Sequence, residues 1–150
     1  MTTILVALLV LWVLFNLLAG YAPLLLAERI SPGRLPAELL RLGTAKRVRF
    51  YVGNNVKSYA YSLWAPPYTV VVFDRRFFLR AEPDLVRFVV AHELGHAHAH
   101  HHIIRWLSIV TGAVLLPVVR RVLLRHELDA DSYAMELTGL TKSMFPQLLQ

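Results

Sequence analysis

The chain contains no cysteine. That absence excludes disulfides, thiolate metal sites and cysteine nucleophiles, and it leaves His, Asp and Glu as the side chains able to hold a metal. Charge is also scarce: 17% of the 150 residues are Asp, Glu, Lys or Arg and 56% are hydrophobic, against ~25% and ~45–50% in an average soluble domain. A disordered chain needs the opposite balance and is excluded. No internal repeat or low-complexity segment occurs, and 150 residues leave room for about one domain. Acidic residues are the rarer charge, ten against sixteen basic, for a formal +6 and a pI near 10.1. Such a balance suits nucleic acid or an anionic membrane face. The basic residues are scattered and carry no recognition motif, so nucleic acid is set aside as a partner and membrane lipid is retained.

No charge interrupts Ile4 to Ala27, a run of 24 residues, which as a helix would reach ~36 Å, enough to cross ~30 Å of hydrocarbon with some tilt. No Lys or Arg precedes the run, whereas a secretory signal begins basic, and Ala19, Gly20 and Ala22 make a poor cleavage site. Residues 1–27 therefore read as a single-pass transmembrane anchor. Arg29, Arg34, Arg41, Lys46, Arg47 and Arg49 all come after it, and the positive-inside rule places the remaining chain in the cytoplasm. Residues 28–46, punctuated by Pro32, Gly33, Pro36 and Gly43, read as a juxtamembrane linker with at most a short helix from Ala37 to Leu42.

Residues 47–150 read as one α+β domain. Arg47 to Val52 alternates with period two, Gly53-Asn54-Asn55 signals a turn, Val56 to Leu63 is extended, and Tyr68 to Phe73 is rich in β-branched residues. The pattern predicts a three-stranded antiparallel meander. Glu82-Pro83-Asp84 predicts a helix start, with the helix running to about His101. Trp106 to Val119 is a 14-residue apolar stretch, ~21 Å long as a helix and too short to cross a bilayer. A last helix is predicted from about Val122 to Thr138, capped by Gly139.

The strongest chemical signal is His92-Glu93-Leu94-Gly95-His96, an HExxH sequence within a predicted helix. Four-residue spacing puts both imidazoles on one face, where they can bind one zinc ion, with Glu93 beside them as general base. Zinc lowers the pKa of its water toward ~7, so that a carboxylate can take its proton and the hydroxide attack a peptide carbonyl. Two His ligands need a third protein ligand. Glu127 fits that place in His126-Glu127-Leu128-Asp129-Ala130-Asp131, because Glu127 and Asp131 share a helix face and Asp131 can fix a ligand histidine through its free ring nitrogen. A rival is His102, six residues after His96 as in HExxHxxGxxH, but that pattern needs glycine where this chain has Ala99.

HELGH followed on a later helix by Glu-x-x-Ala-Asp resembles the membrane zinc metallopeptidases of the HtpX and type I CAAX prenyl protease class, which includes the mitochondrial Oma-like proteases. The likeness covers roughly Tyr59 to Thr138. It implies a gluzincin-like domain with one catalytic zinc on His92, His96 and Glu127, Glu93 as base and Asp131 behind the ligands. It also implies an edge strand, about Lys57 to Leu63 with Ser58, Tyr59, Ala60 and Tyr61, that pairs with substrate backbone. Members usually carry several membrane spans, whereas here only Trp106 to Val119 separates the two motifs. A single crossing there would part Glu127 from His96, so this stretch must lie in the core, re-enter or rest on the surface.

These features predict a membrane-anchored zinc endopeptidase acting on membrane-associated or misfolded proteins. The alternative is a non-catalytic membrane metal-binding or sensor module built on His98, His100, His101 and His102. Transition-state donors are sought in Tyr133 and His102.

Overall fold

The computed structural model describes residues 2–30, 34–54, 56, 58–113 and 116–146. It opens with helix α1 (Thr2–Leu25) and a short strand β1 (Glu28–Arg29). Then come α2 (Ala37–Ala45), β2 (Val48–Gly53), β3 (Ala60–Ala65), β4 (Tyr68–Asp74) and α3 (Arg75–Arg80). Helices α4 (Pro83–His98), α5 (His101–Val110) and α6 (Pro117–Thr138) complete the fold with a 3-10 turn at Lys142–Met144.

The sheet is mixed, in the order β1-β2-β4-β3. Strand β2 runs parallel to β4, with Phe50 opposite Val71, while β3 returns antiparallel to β4, with Leu63 opposite Val70. This corrects the antiparallel meander. The continuous apolar run Val70–Phe73 is fully buried, as a central strand requires, so β4 takes the middle and leaves the half-buried β3 at an edge. The edge strand begins at Ala60, later than expected; Ser58 and Tyr59 lie just before it, and residue 57 lies outside the described residues.

The segment expected as a linker is built into the domain. Glu28 and Arg29 pair with Val52 and Tyr51, and Leu35 and Leu39 are buried in the core. The reason is local: α2 carries its leucines on the side that meets β2 and α4, where they cover that side of the sheet.

Helix α4 starts at Pro83 as expected but stops at His98, because His100 takes the left-handed conformation (φ 57°) and redirects the chain into α5. The 106–119 stretch is likewise not one helix. Gly112 (φ 72°) breaks it, α5 ends at Val110, and α6 starts at Pro117 rather than Val122. Pro117 supplies the first helical position, and Gly139 (φ 71°) closes α6 where predicted. Several apolar side chains of this region, Leu107, Ile109, Leu116 and Val118, are exposed.

Among the described residues, no helix is long and apolar enough to cross a membrane. In α1, the apolar side chains of Ile4, Leu11, Phe15 and Leu18 all stand exposed. Near its end, the Tyr21 hydroxyl donates to the Trp64 carbonyl of β3, and the Trp64 ring meets Trp106 of α5 edge-on at 5.5 Å.

Candidate metal centre

Helix α4 is apolar almost all round because it is buried almost all round. Leu85, Phe88, Val89, Val90 and Leu94 fill the core beneath the sheet with Phe50 and Phe73. That packing fixes the rotation of the helix about its axis and so the direction of His92, Glu93 and His96. Helix α6 crosses α4 through small residues. A Cβ at Gly95 would sit 3.1 Å from the Ala130 Cα and 3.2 Å from the Tyr133 Cβ. Glycine is required there for the approach that brings Glu127 over the imidazoles.

Three donors converge. His92 Nε2 lies 3.1 Å from His96 Nε2, and Glu127 Oε2 lies 3.4 Å from the first and 3.6 Å from the second. Ligands at 2.0–2.1 Å in tetrahedral array about zinc stand about 3.3 Å apart. The set therefore fits one zinc-sized cation without rearrangement. Among the described residues this is the group of His, Asp and Glu placed to hold a metal.

The surroundings favour a positive charge at that point. Burial opposes protonation of His92, yet hydrogen bonds to Asp131 and Glu127 lift its pKa to about 9. The two imidazoles in turn hold the Glu127 carboxyl well below the usual carboxylate range, against the effect of its own burial. The same carboxylates that raise the affinity of the imidazole for a proton raise its affinity for a divalent cation.

Asp131 Oδ1 lies 2.9 Å from His92 Nδ1. Its other oxygen accepts from Lys142 Nζ at 2.9 Å. Burial works to raise the Asp131 pKa, and the His92 and Lys142 bonds outweigh it and lower it. Glu93 is 6% exposed, and its Oε2 is buried with no hydrogen-bond partner among the described residues. It borders a cavity of about 250 Å³ with His92, His96 and Glu127, and Ser58, Tyr59 and Ala60 form part of the wall. A buried carboxylate with an unpartnered oxygen, on a residue that lines such a space, is suited to take a proton from a molecule held there.

The two candidate donors do not border that cavity. Tyr133 packs on Gly95 and against His98, with ring centroids 5.4 Å apart. His102 is buried, its Nε2 3.3 Å from Thr69 Oγ1, and burial lowers its pKa. The turn at His100 aims His102 at Thr69 of β4 rather than at the His92, His96 and Glu127 donors, so it does not serve as their third member. His98 meets Lys46 Nζ, His101 meets His96, and His126 stacks on His101.

Sequence reasoning missed three neighbours. Arg105 Nη1 lies 3.7 Å from Glu127 Oε1, Lys142 pairs with Asp131, and His101 Nδ1 lies 3.2 Å from His96 Nδ1. Arg105 falls four residues after His101, so the two share a face of α5, but only the break at His100 shows which face turns to the site.

A model of peptidase family M48 matches residues 37–149. The chain belongs to peptidase family M48. It is therefore a metal-dependent peptidase whose substrates are proteins or peptides, and the His92, His96 and Glu127 set lies inside the matched region. No curated protein matches this M48 peptidase. The match begins at Ala37, in agreement with α2 being part of the packed domain.

Proposed function

We propose that this M48 peptidase is a zinc endopeptidase of the HExxH type, anchored in a membrane by α1 with its catalytic domain on the cytoplasmic side. Its substrates are membrane-associated or misfolded proteins, and within the family we group it with the HtpX and type I CAAX prenyl protease class. The observation that carries the reading is the convergence of His92, His96 and Glu127 at separations of 3.1–3.6 Å beside the unpartnered Glu93 oxygen.

In this reading His92, His96 and Glu127 hold the zinc and Asp131 fixes the tautomer of His92. Zinc supplies Lewis-acid polarisation of the scissile carbonyl and acidifies water. Glu93 takes a proton from the attacking water and returns it to the leaving amine. Strand β3 lies at the sheet edge, with Ser58, Tyr59 and Ala60 on the Glu93 cavity and Ser62 on a neighbouring one of about 350 Å³. A substrate strand laid along Ser58, Tyr59, Ala60 and Tyr61 would bring its backbone past the ligands, adding one strand to the sheet.

Support for the anchor is the apolar surface of α1. Exposed Ile4, Leu5, Val6, Leu9, Val10 and Leu11 make a helix apolar on every side, which water does not stabilise and lipid does. The run of arginines after α1 gives the orientation.

Glu93→Gln tests the catalytic reading. The variant should retain one zinc per chain and lose about 10²–10⁴-fold in hydrolysis of casein, while His92→Ala should lose the zinc. Casein cleavage unchanged in Glu93→Gln removes the mechanism. Release of the full chain from membranes by high salt alone would remove the anchor.

A further inference from the structure

We infer that His101 is a positioning residue for the centre: its imidazole accepts the Nδ1 proton of His96 and thereby fixes the tautomer and ring plane of that ligand. The inference rests on His92, His96 and Glu127 being the zinc ligands, and it adds the arm that holds the second imidazole.

The geometry leaves one assignment of protons. His96 Nε2 faces His92 Nε2 and Glu127, so it must present a lone pair if it is to bind a cation. The proton of a neutral His96 then sits on Nδ1, which needs an acceptor because the ring is 7% exposed. The atom in place is His101 Nδ1, 3.2 Å away. To accept, His101 must carry its own proton on Nε2, and that nitrogen faces Asp129 Oδ2 at 4.0 Å. The order of atoms is thus His96 Nδ1–H to His101 Nδ1, with His101 Nε2–H turned toward a carboxylate.

The His101 ring is itself held. It stacks on His126 with centroids 3.8 Å apart and planes within 3°, and its side chain is 9% exposed. The stack opposes rotation of the His101 ring about its Cβ–Cγ bond. His126 directly precedes Glu127 on α6, so one helix supplies a ligand, the carboxylate behind His92, and the ring that clamps the partner of His96. On the other side, His101 reaches this position because His100 adopts φ 57°. That conformation is uncommon for a residue with a Cβ, and it costs free energy that the surrounding packing must offset. The two ligand imidazoles therefore have unlike supports: a carboxylate behind His92, a neutral imidazole behind His96.

The test uses the full chain loaded with Zn²⁺. Long-range ¹H–¹⁵N spectra should show His96 protonated on Nδ1, with a scalar coupling across the hydrogen bond to His101 Nδ1. Zinc affinity, read by competition with a chelator, should fall about 10–100-fold in His101→Leu. It should recover to within about threefold of wild type in His101→Asn, whose Oδ1 can stand where Nδ1 stood. A His96 proton found on Nε2 in the wild-type protein would overturn the inference without any variant. So would His101→Leu binding zinc as wild type does, or His101→Asn being as weak as His101→Leu, which would leave only ring volume at work. Zinc binding that survives His92→Ala would instead overturn the metal centre itself.

Discussion

Helices α4 and α6 each bring donor side chains to the candidate centre, and they are held in opposite ways. In α4 eleven of sixteen residues are buried, among them Phe88, Val90 and Leu94 at 1% exposure or less. In α6 only Ala130, Asp131 and Ala134 of twenty-two are buried. The α4 half is therefore set by the core before any metal is considered. The α6 half rests on a narrow seam of small residues and on polar bridges at the site itself, His92 to Asp131 and Lys142 to Asp131. A centre built this way joins a jaw buried almost all round to one that meets the core along a single face, through Ala130, Ala134, Tyr133 and Leu137, and binding of a divalent cation adds to the stability of the second jaw more than to that of the first.

The seam is where the contrast is most easily broken. Gly95→Val places branched carbon against the Ala130 backbone, at distances that start at 3.1 Å for the Cβ alone, and backbone cannot yield as a side chain would. Overpacking of this kind should cost about 1–3 kcal/mol of stability and, by pushing α6 outward, abolish tight zinc binding. Thermal melting and chelator competition read the two effects. If zinc affinity survives, α6 is not held by this seam and the contrast fails.

Asp131→Asn removes charge without changing shape. The His92 Nδ1 contact of 2.9 Å loses its carboxylate, and loss of such support behind a ligand histidine weakens metal affinity by about 10–100-fold. The chain should stay folded, since the core on α4 is untouched. Equal zinc affinity in Asp131→Asn and wild type would mean that His92 is aligned by the α4 core alone, which would make the difference between the two helices sharper still.

How much of this was legible beforehand depends on the range of the interaction. HELGH, Glu127 and Asp131 could be read because helical spacing is local: residues four apart share a face wherever the helix goes. The Pro83 start and the Gly139 stop are equally local signals. The parallel pairing of β2 with β4 was not legible, since a run such as Val70–Phe73 states that a strand is buried but not which neighbours bury it. The break at His100 was hidden for a different reason. Histidine tolerates the left-handed region without demanding it, so His98 to His102 read as a continuing helix end, and the contact of His101 with His96 depends wholly on that turn. Residues 28–46 looked like a connector because Pro32, Gly33, Pro36 and Gly43 punctuate them, yet Leu35 and Leu39 close the core.

The smallest expected effect lies in the segment beyond α6. Lys142 donates to Asp131 Oδ2 at 2.9 Å, and its side chain is 38% exposed, so solvent screens much of the pair and Lys142→Met should cost no more than about 1 kcal/mol of stability. Asp131 keeps its other oxygen on His92, so zinc affinity should change by no more than about fivefold, far less than in Asp131→Asn. Immediately after Met144, Phe145 packs on Phe88 of α4 with ring centroids 5.7 Å apart. The segment 142–145 thus bridges the two helices, Lys142 holding Asp131 of α6 and the buried Phe145 ring packing on α4. Should Lys142→Met lose zinc as severely as Asp131→Asn in the same chelator assay, the turn would count as a third support for the α6 half, and that half would be less dependent on the bound ion than the seam implies.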